Sequence, residues 1–283
     1  MRVAPPRVFP EAALAPKPPA GSPGADAHRQ AGFVLGVDLE TVLEGLRLEG
    51  AIAAASAGAK YRTQLTTSAL ALWSRAWLCR LEALHAVEYG NYAAAFPLVR
   101  AAADHQAAEI SLLRTDAAEW QQWLDEGGIA LAPADHATEF RLHSFRAAEV
   151  LAAHDDLGPI YRAAMDLSLS HFGSSLLLAG ADSSPDRVLV TFGDRDFHLG
   201  LAELLLGWLL TLGAVQLETA AEFPGAFALP DAEAAANWPA RARKLAAGRD
   251  RCRLDVVERD GQTRYLVQNW RQKPGAAPKR ILL

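Results

Sequence analysis

Residues 91–113, NYAAAFPLVRAAADHQAAEISLL, set Arg100, Asp104 and His105 into an otherwise apolar run. An arginine followed by a histidine five residues on occurs twice, in RLEALH (Arg80, His85) and in RAAADH (Arg100, His105). Such residues offer a cation to hold an anionic substrate group and an imidazole to move a proton. With spacings of four to six allowed, this chain's arginines and histidines yield roughly two matches by chance. Residues five apart on a straight helix also diverge by about 140°. The projection pairs Arg100 with Asp104, one turn on, and leaves His105 pointing elsewhere.

Three further constellations carry donor atoms. Glu82 and His85 have the Glu-x-x-His spacing that places two metal ligands on one helix face, but no second such motif occurs to complete a two-metal site. His136, Glu139 and His143 also share a face, with Arg146 and Glu149 near enough to make it a solvated, salt-bridged surface. A metal-dependent bundle enzyme using Glu82, His85, His136 and His143 is therefore the weakest reading, and no metal is expected. His171 precedes Phe172-Gly173, with Ser168 a turn before it to orient the ring and Tyr161 further back. The chain has no Gly-x-Ser-x-Gly elbow, phosphate-cradling glycine loop or nucleotide fingerprint, so no cofactor is expected.

Two stretches, AAAFPLVRAAADHQAAE (93–109) and YRAAMDLSLSHFGSS (161–175), together resemble uncharacterised all-helical families related to HEPN-type domains. Those families carry an LxR helix with an acidic residue four on, then Tyr, Ser and His shortly before a Gly or Pro. Carried over, the resemblance implies a site of Arg100, Asp104, Tyr161, Ser168 and His171. It also implies a helical, dimeric protein, with metal-independent RNA cleavage as one activity. The leading expectation is an interaction module of HEPN-like architecture; a ribonuclease at Arg100 and His171 is the alternative.

Charge is unevenly spread. Residues 241–283 carry a balance of +8 and the first 240 residues one of −13. The basic piece either docks on its own acidic body or offers a protein or nucleic acid the residues Arg251, Arg253, Arg264, Trp270 and Arg271. Two distant cysteines, Cys79 and Cys252, form no disulfide framework or zinc motif and fit a reducing cytoplasm.

The elements that must position these groups are mainly helical. Seven prolines in residues 1–24 leave no periodicity, so 1–30 is expected to be a disordered extension without a secretory signal. Residues 31–247 are expected to form a bundle of about seven or eight helices. Within it, APADHATEFRLHSFRAAEVLAAH and GPIYRAAMDLSLSHFGSSLLLAG each read as one helix, and RVLVTF (187–192) as a short strand. The apolar run 199–217 keeps a thin polar stripe that includes Glu203, Gly207, Thr211 and Glu218, which marks a core helix and not a membrane span. In 248–283, Asp260-Gly261 sets a hairpin with Arg259 opposite Gln262. Cys252, Leu254, Val256, Tyr265 and Val267 then share one face, and KRILL or RVLVTF supplies a third strand. The fold expected is a mainly α bundle with a small C-terminal β-hairpin or sheet.

Overall fold

Apolar side chains recurring at helical spacing dictate most of the architecture. In the computed structural model, which describes residues 3–125, 145–170, 172–180, 183 and 186–283, ten α-helices precede a three-stranded antiparallel sheet among the described residues. The helices are α1 (Ala25–Val34), α2 (Gly36–Ser56), α3 (Gln64–Glu88), α4 (Tyr92–Arg114), α5 (Ala118–Asp125), α6 (Ala148–Ala153), α7 (Leu157–Ser168), α8 (Phe172–Ala179), α9 (Leu199–Glu222) and α10 (Ala232–Ala246). The strands are β1 (Arg253–Arg259), β2 (Gln262–Trp270) and β3 (Lys279–Leu282).

Helices α3 and α4 form a long hairpin about the tight Gly90-Asn91 link. Thr63 caps the start of α3, its Oγ1 accepting from the Thr66 N–H at 3.1 Å. Gly90 turns the chain at φ +66°, and a Cβ there would sit 2.5 Å from the Arg195 carbonyl oxygen. The face of α4 expected to be apolar, Phe96, Val99, Ala103, Ile110 and Leu113, is buried in full. Helix α9 packs against α2, α3, α4 and α10. It is long and apolar enough to cross a membrane, and 89% of its most apolar window is buried inside the protein.

Trp238 of α10 fixes how closely the helices approach. Its indole lies between Gly45 of α2 and Gly213 of α9, and its Nε1 donates to the Thr41 carbonyl at 3.1 Å. A Cβ at Gly45 would lie 2.4 Å from the ring and one at Gly213 2.7 Å from it. Both glycines are there because the ring needs the space their missing side chains leave.

The hairpin has the expected register, with Arg259 opposite Gln262, Val256 opposite Tyr265 and Leu254 opposite Val267. Asp260 and Gly261 both take positive φ, as a two-residue hairpin turn requires. Between Val267 and Trp270 the pairing with β3 is irregular, and Asn269 takes φ +55°. This bulge turns Trp270 inward onto Gly200 of α9, where an added Cβ would meet its ring at 2.7 Å.

Three expectations are corrected. The proline-rich segment is not loose: residues 3–24 lie against α2 and α3. Val3, Ala12, Ala13 and Pro16 offer carbonyls to Arg62, Arg47, His85 and Tyr89, and the Ala15 N–H donates to Glu88 at 2.8 Å. Prolines without N–H groups suit a segment that packs by its carbonyls. Residues 187–192 do not form a strand beyond a single bridge at Arg187, and β3 takes the open edge of β2. Val188, Val190 and Phe192 are left 66%, 63% and 103% exposed. The single helix expected from Gly158 onward is two, α7 and α8. Of the helix expected from Ala132, only its end, α6, lies within the described residues.

Gly45→Ala is expected to lower stability by about 1–3 kcal/mol through overpacking against Trp238. Gly207→Ala, whose added Cβ meets nothing within 4 Å, is expected to be neutral or to gain up to ~1 kcal/mol from helix propensity. Urea unfolding of the two variants measures the contrast.

Candidate functional site

Helices α4 and α7 pack together and bring two of the five residues implied by the resemblance into contact. The Arg100 guanidinium lies over the Tyr161 ring, 5.8 Å from its centroid. Arg100 is half-buried, and its Nε is shielded from solvent without a hydrogen-bond partner. Among the described residues it makes no ion pair: the expected Arg100–Asp104 bridge does not form, although both residues stand on one flank of α4. Ser168 is spent elsewhere, its hydroxyl donating back to the Ala164 carbonyl at 2.5 Å at the exposed end of α7. His171 lies outside the described residues, as do His136, Glu139 and His143.

The far side of α7 is tied to the sheet. Tyr265 of β2 donates its hydroxyl to Asp166 at 2.7 Å. Burial and the neighbouring carboxylate push the phenol well above its usual range, so it stays a donor. Tyr161 is thus presented to Arg100 by a helix held on both sides.

The other arginine–histidine pairs do not converge. Arg80 points into the core, while His85 reaches outward to the Ala13 carbonyl at 2.9 Å. His105 is half-buried, and burial with the nearby Arg75 lowers its pKa, favouring the neutral ring. His85 and Glu82 approach to 3.8 Å, and no cluster of three metal-ligating residues occurs among the described residues.

Of the basic C-terminal residues, Arg251, Arg271 and Trp270 serve the protein itself. Arg251 pairs with Asp38 of α2 and donates to the Glu203 carbonyl at 2.9 Å. Arg271 pairs with the Glu203 carboxylate at 3.1 Å, and the same carboxylate accepts from the Cys252 N–H at 2.9 Å. Trp270 is buried. Arg253 and Arg264 stay on the hairpin beside Asp255 and Gln262. Arg251 and Arg271 of the basic piece are thus paired with carboxylates of α2 and α9, Glu203 being part of the polar stripe of α9. Cys252 is held beneath this clamp, where burial and Glu203 push its thiol up to about 12 and make it unreactive.

Two groups of buried polar residues went unrecognised in the sequence. Glu49 of α2 and Arg80 of α3, 0% and 1% exposed, meet in a two-pronged pair, and the Trp73 indole N–H donates to Glu49 at 2.9 Å. Beside them, Glu109 of α4 accepts from the Gln216 side chain of α9 at 3.0 Å to each oxygen, and Gln106 donates to Gln216 at 3.1 Å and to the Leu212 carbonyl at 2.9 Å. Burial, helped by the neighbouring Glu49 charge, pushes the Glu109 carboxyl up to about 8, against the opposing effects of Gln216 and Arg80. The second group is a buried His198, whose Nε2 lies 2.9 Å from Asp194 and whose backbone N–H donates to the Tyr92 hydroxyl at 3.0 Å. It anchors the start of α9. The signal for the first group was present in the sequence: Glu49, Arg80, Glu109 and Gln216 all fall within the apolar stripes of their own helices.

Comparison with protein families, curated proteins and solved structures finds no match.

The raised Glu109 pKa has a definite sign. A carboxyl whose folded pKa exceeds its unfolded value contributes stability that is full below the unfolded pKa, near 4.3, and is lost as pH rises toward about 8. The native protein is expected to lose stability across that window with a slope of up to ~1.4 kcal/mol per pH unit from this group. Glu109→Gln should remove that contribution to the slope, and urea unfolding at a series of pH values checks it.

Proposed function

We propose that this chain is a helical interaction module of HEPN-like architecture that takes a carboxylate of a protein partner at the α4–α7 face. The observation that carries this reading is Arg100: stacked on Tyr161, oriented by packed helices and without an ion pair among the described residues. A guanidinium whose fork is not committed inside its own protein favours a planar anion, and the aromatic ring fixes its direction. Charge favours a protein over a nucleic acid as the partner. The first 240 residues are net −13 and would repel a polyanion, and two of the basic C-terminal arginines are engaged with the body.

A ribonuclease is the second reading, because Arg100 and Tyr161, both implied by the HEPN resemblance, do meet. The two readings separate experimentally. A photo-crosslinking residue at the exposed Pro97 position, one helical turn from Arg100, is expected to capture a defined partner in cells. Arg100→Ala should then weaken that partner's binding by about 30-fold or more, the worth of truncating one member of a desolvated charge pair, with Arg100→Lys only partly restoring it. Partner binding indifferent to Arg100→Ala would refute the interaction site. Degradation of a mixed RNA pool by the purified chain, abolished by Arg100→Ala, would instead establish the ribonuclease.

A further inference from the structure

Two features on one side of the protein each lack what the other offers. The first is the open edge of the sheet. With strand order β1-β2-β3, β3 has β2 on one side and no strand on the other among the described residues. The Leu283 N–H donates to the Tyr265 carbonyl at 2.8 Å, so Leu283 faces β2. Leu282, one residue earlier, and Arg280 therefore turn their own N–H and C=O groups to the open side.

The second feature is the run from Val188 to Phe192. Leu189 is held by the Ser183 hydroxyl, at 3.1 Å through its N–H and 3.2 Å through its carbonyl, and the Thr191 N–H donates to the Ala179 carbonyl at 2.8 Å. Alternate residues bonded to one side mark an extended chain, so Val190 turns its N–H and C=O away from the body. Val188, Leu189, Val190 and Phe192 all expose their side chains, and no charge interrupts them. An apolar run left in water beside an unpaired strand edge marks an association surface.

Both features border one hollow. Ser183, which holds Leu189, lines a space of about 410 Å³ together with Leu176 and Leu177 of α8 and with Ile281, Leu282 and Leu283. Within the chain they do not pair, since 187–192 joins neither edge of the sheet.

We propose that a second copy of this chain supplies the missing strand: residues 188–192 of each copy pair with the β3 edge of the other about a two-fold axis. The same two surfaces then meet twice, which is how an isologous dimer closes. Charge favours this pairing over the joining of two β3 edges. Lys279 and Arg280 are exposed and make no ion pair among the described residues, so two such edges would gather four cations in one short ladder. Residues 186–196 instead bring Asp186, Asp194 and Asp196 against Arg187 and Arg195, a slight acidic excess to meet those cations. The contact uses neither Arg100 nor Tyr161 and stands independently of the function proposed for that face.

Sedimentation equilibrium of the full chain over a range of concentrations tests this. The unaltered chain is expected to dimerise. Val190→Lys puts a charge into the donated strand and should raise the dimer dissociation constant by about tenfold or more. Leu282→Pro removes an outward N–H from the receiving edge, where proline is tolerated because β2 takes no bond from that group, and should do the same. Arg280→Pro serves if that variant fails to fold. Each variant spoils a different half of the contact, so an equimolar mixture of the strand variant and the edge variant should associate more tightly than either alone. An unaltered chain that stays monomeric at every concentration would overturn the proposal, as would a folded strand or edge variant that dimerises like the unaltered chain. A mixture no tighter than its components would equally overturn it.

Discussion

A carboxylate and a guanidinium sealed together inside the helical core, Glu49 with Arg80, set the constraint on which the packing turns. Neither charge survives there alone, because removing an ion from water costs several kcal/mol that only a close, hydrogen-bonded partner offsets. Helices α2 and α3 must therefore meet at one rotation and one height. Trp73 completes the Glu49 shell from α3, while Trp77 donates its indole N–H to the Leu46 carbonyl one turn earlier on α2. The adjoining Glu109, Gln216 and Gln106 extend the same demand to α4 and α9. Leucine and alanine packing alone tolerates small slips, whereas a buried polar network with unmet groups does not.

The close helix approaches at Gly45 and Gly213 are a second consequence. Trp238 fits between α2 and α9 only at the spacing the polar network imposes, and the Arg80 guanidinium lies 3.5 Å from where a Cβ of Gly213 would be. Outside this centre, arginines reach carboxylates that range from buried, at Asp38 and Glu203, to half-exposed, at Glu218. Arg243 spans Asp156 and Glu218, Arg251 takes Asp38, and Arg271 takes Glu203. The C-terminal sheet is fastened to α9 by these contacts and by Trp270 over Gly200. Arg100, half-buried over the Tyr161 ring and without an ion pair among the described residues, differs from these matched pairs.

Local patterns were the legible part of the sequence. The register of β1 and β2 follows from a two-residue Asp-Gly turn, which fixes every later pair. The buried flank of α4 and the polar stripe of α9 follow from helical period alone. What depends on distant partners was not legible. Glu49 and Arg80 are 31 positions apart and read as ordinary polar residues until both are seen to occupy apolar stripes. The alternation of Val188, Val190 and Phe192 satisfies a strand pattern, yet these residues join neither outer edge of the β1-β2-β3 sheet, and local alternation carries no record of whether a partner strand lies within reach. Proline-rich residues 3–24 lack any period because they pack through backbone carbonyls, which leave no trace in side-chain hydrophobicity. Within the candidate site, the meeting of Arg100 and Tyr161 was implied by the family resemblance and not by spacing, since 61 residues separate them.

If the buried pair governs the packing, breaking it and replacing it must differ sharply. Equilibrium urea unfolding of Arg80→Met, compared with the double variant Glu49→Met/Arg80→Met, measures this directly. The single variant strands a buried carboxylate and is expected to lose about 3–5 kcal/mol, while the apolar double variant recovers most of that loss. A single variant within about 1 kcal/mol of the unaltered protein, or a double variant no more stable than the single, would contradict a core organised around Glu49 and Arg80.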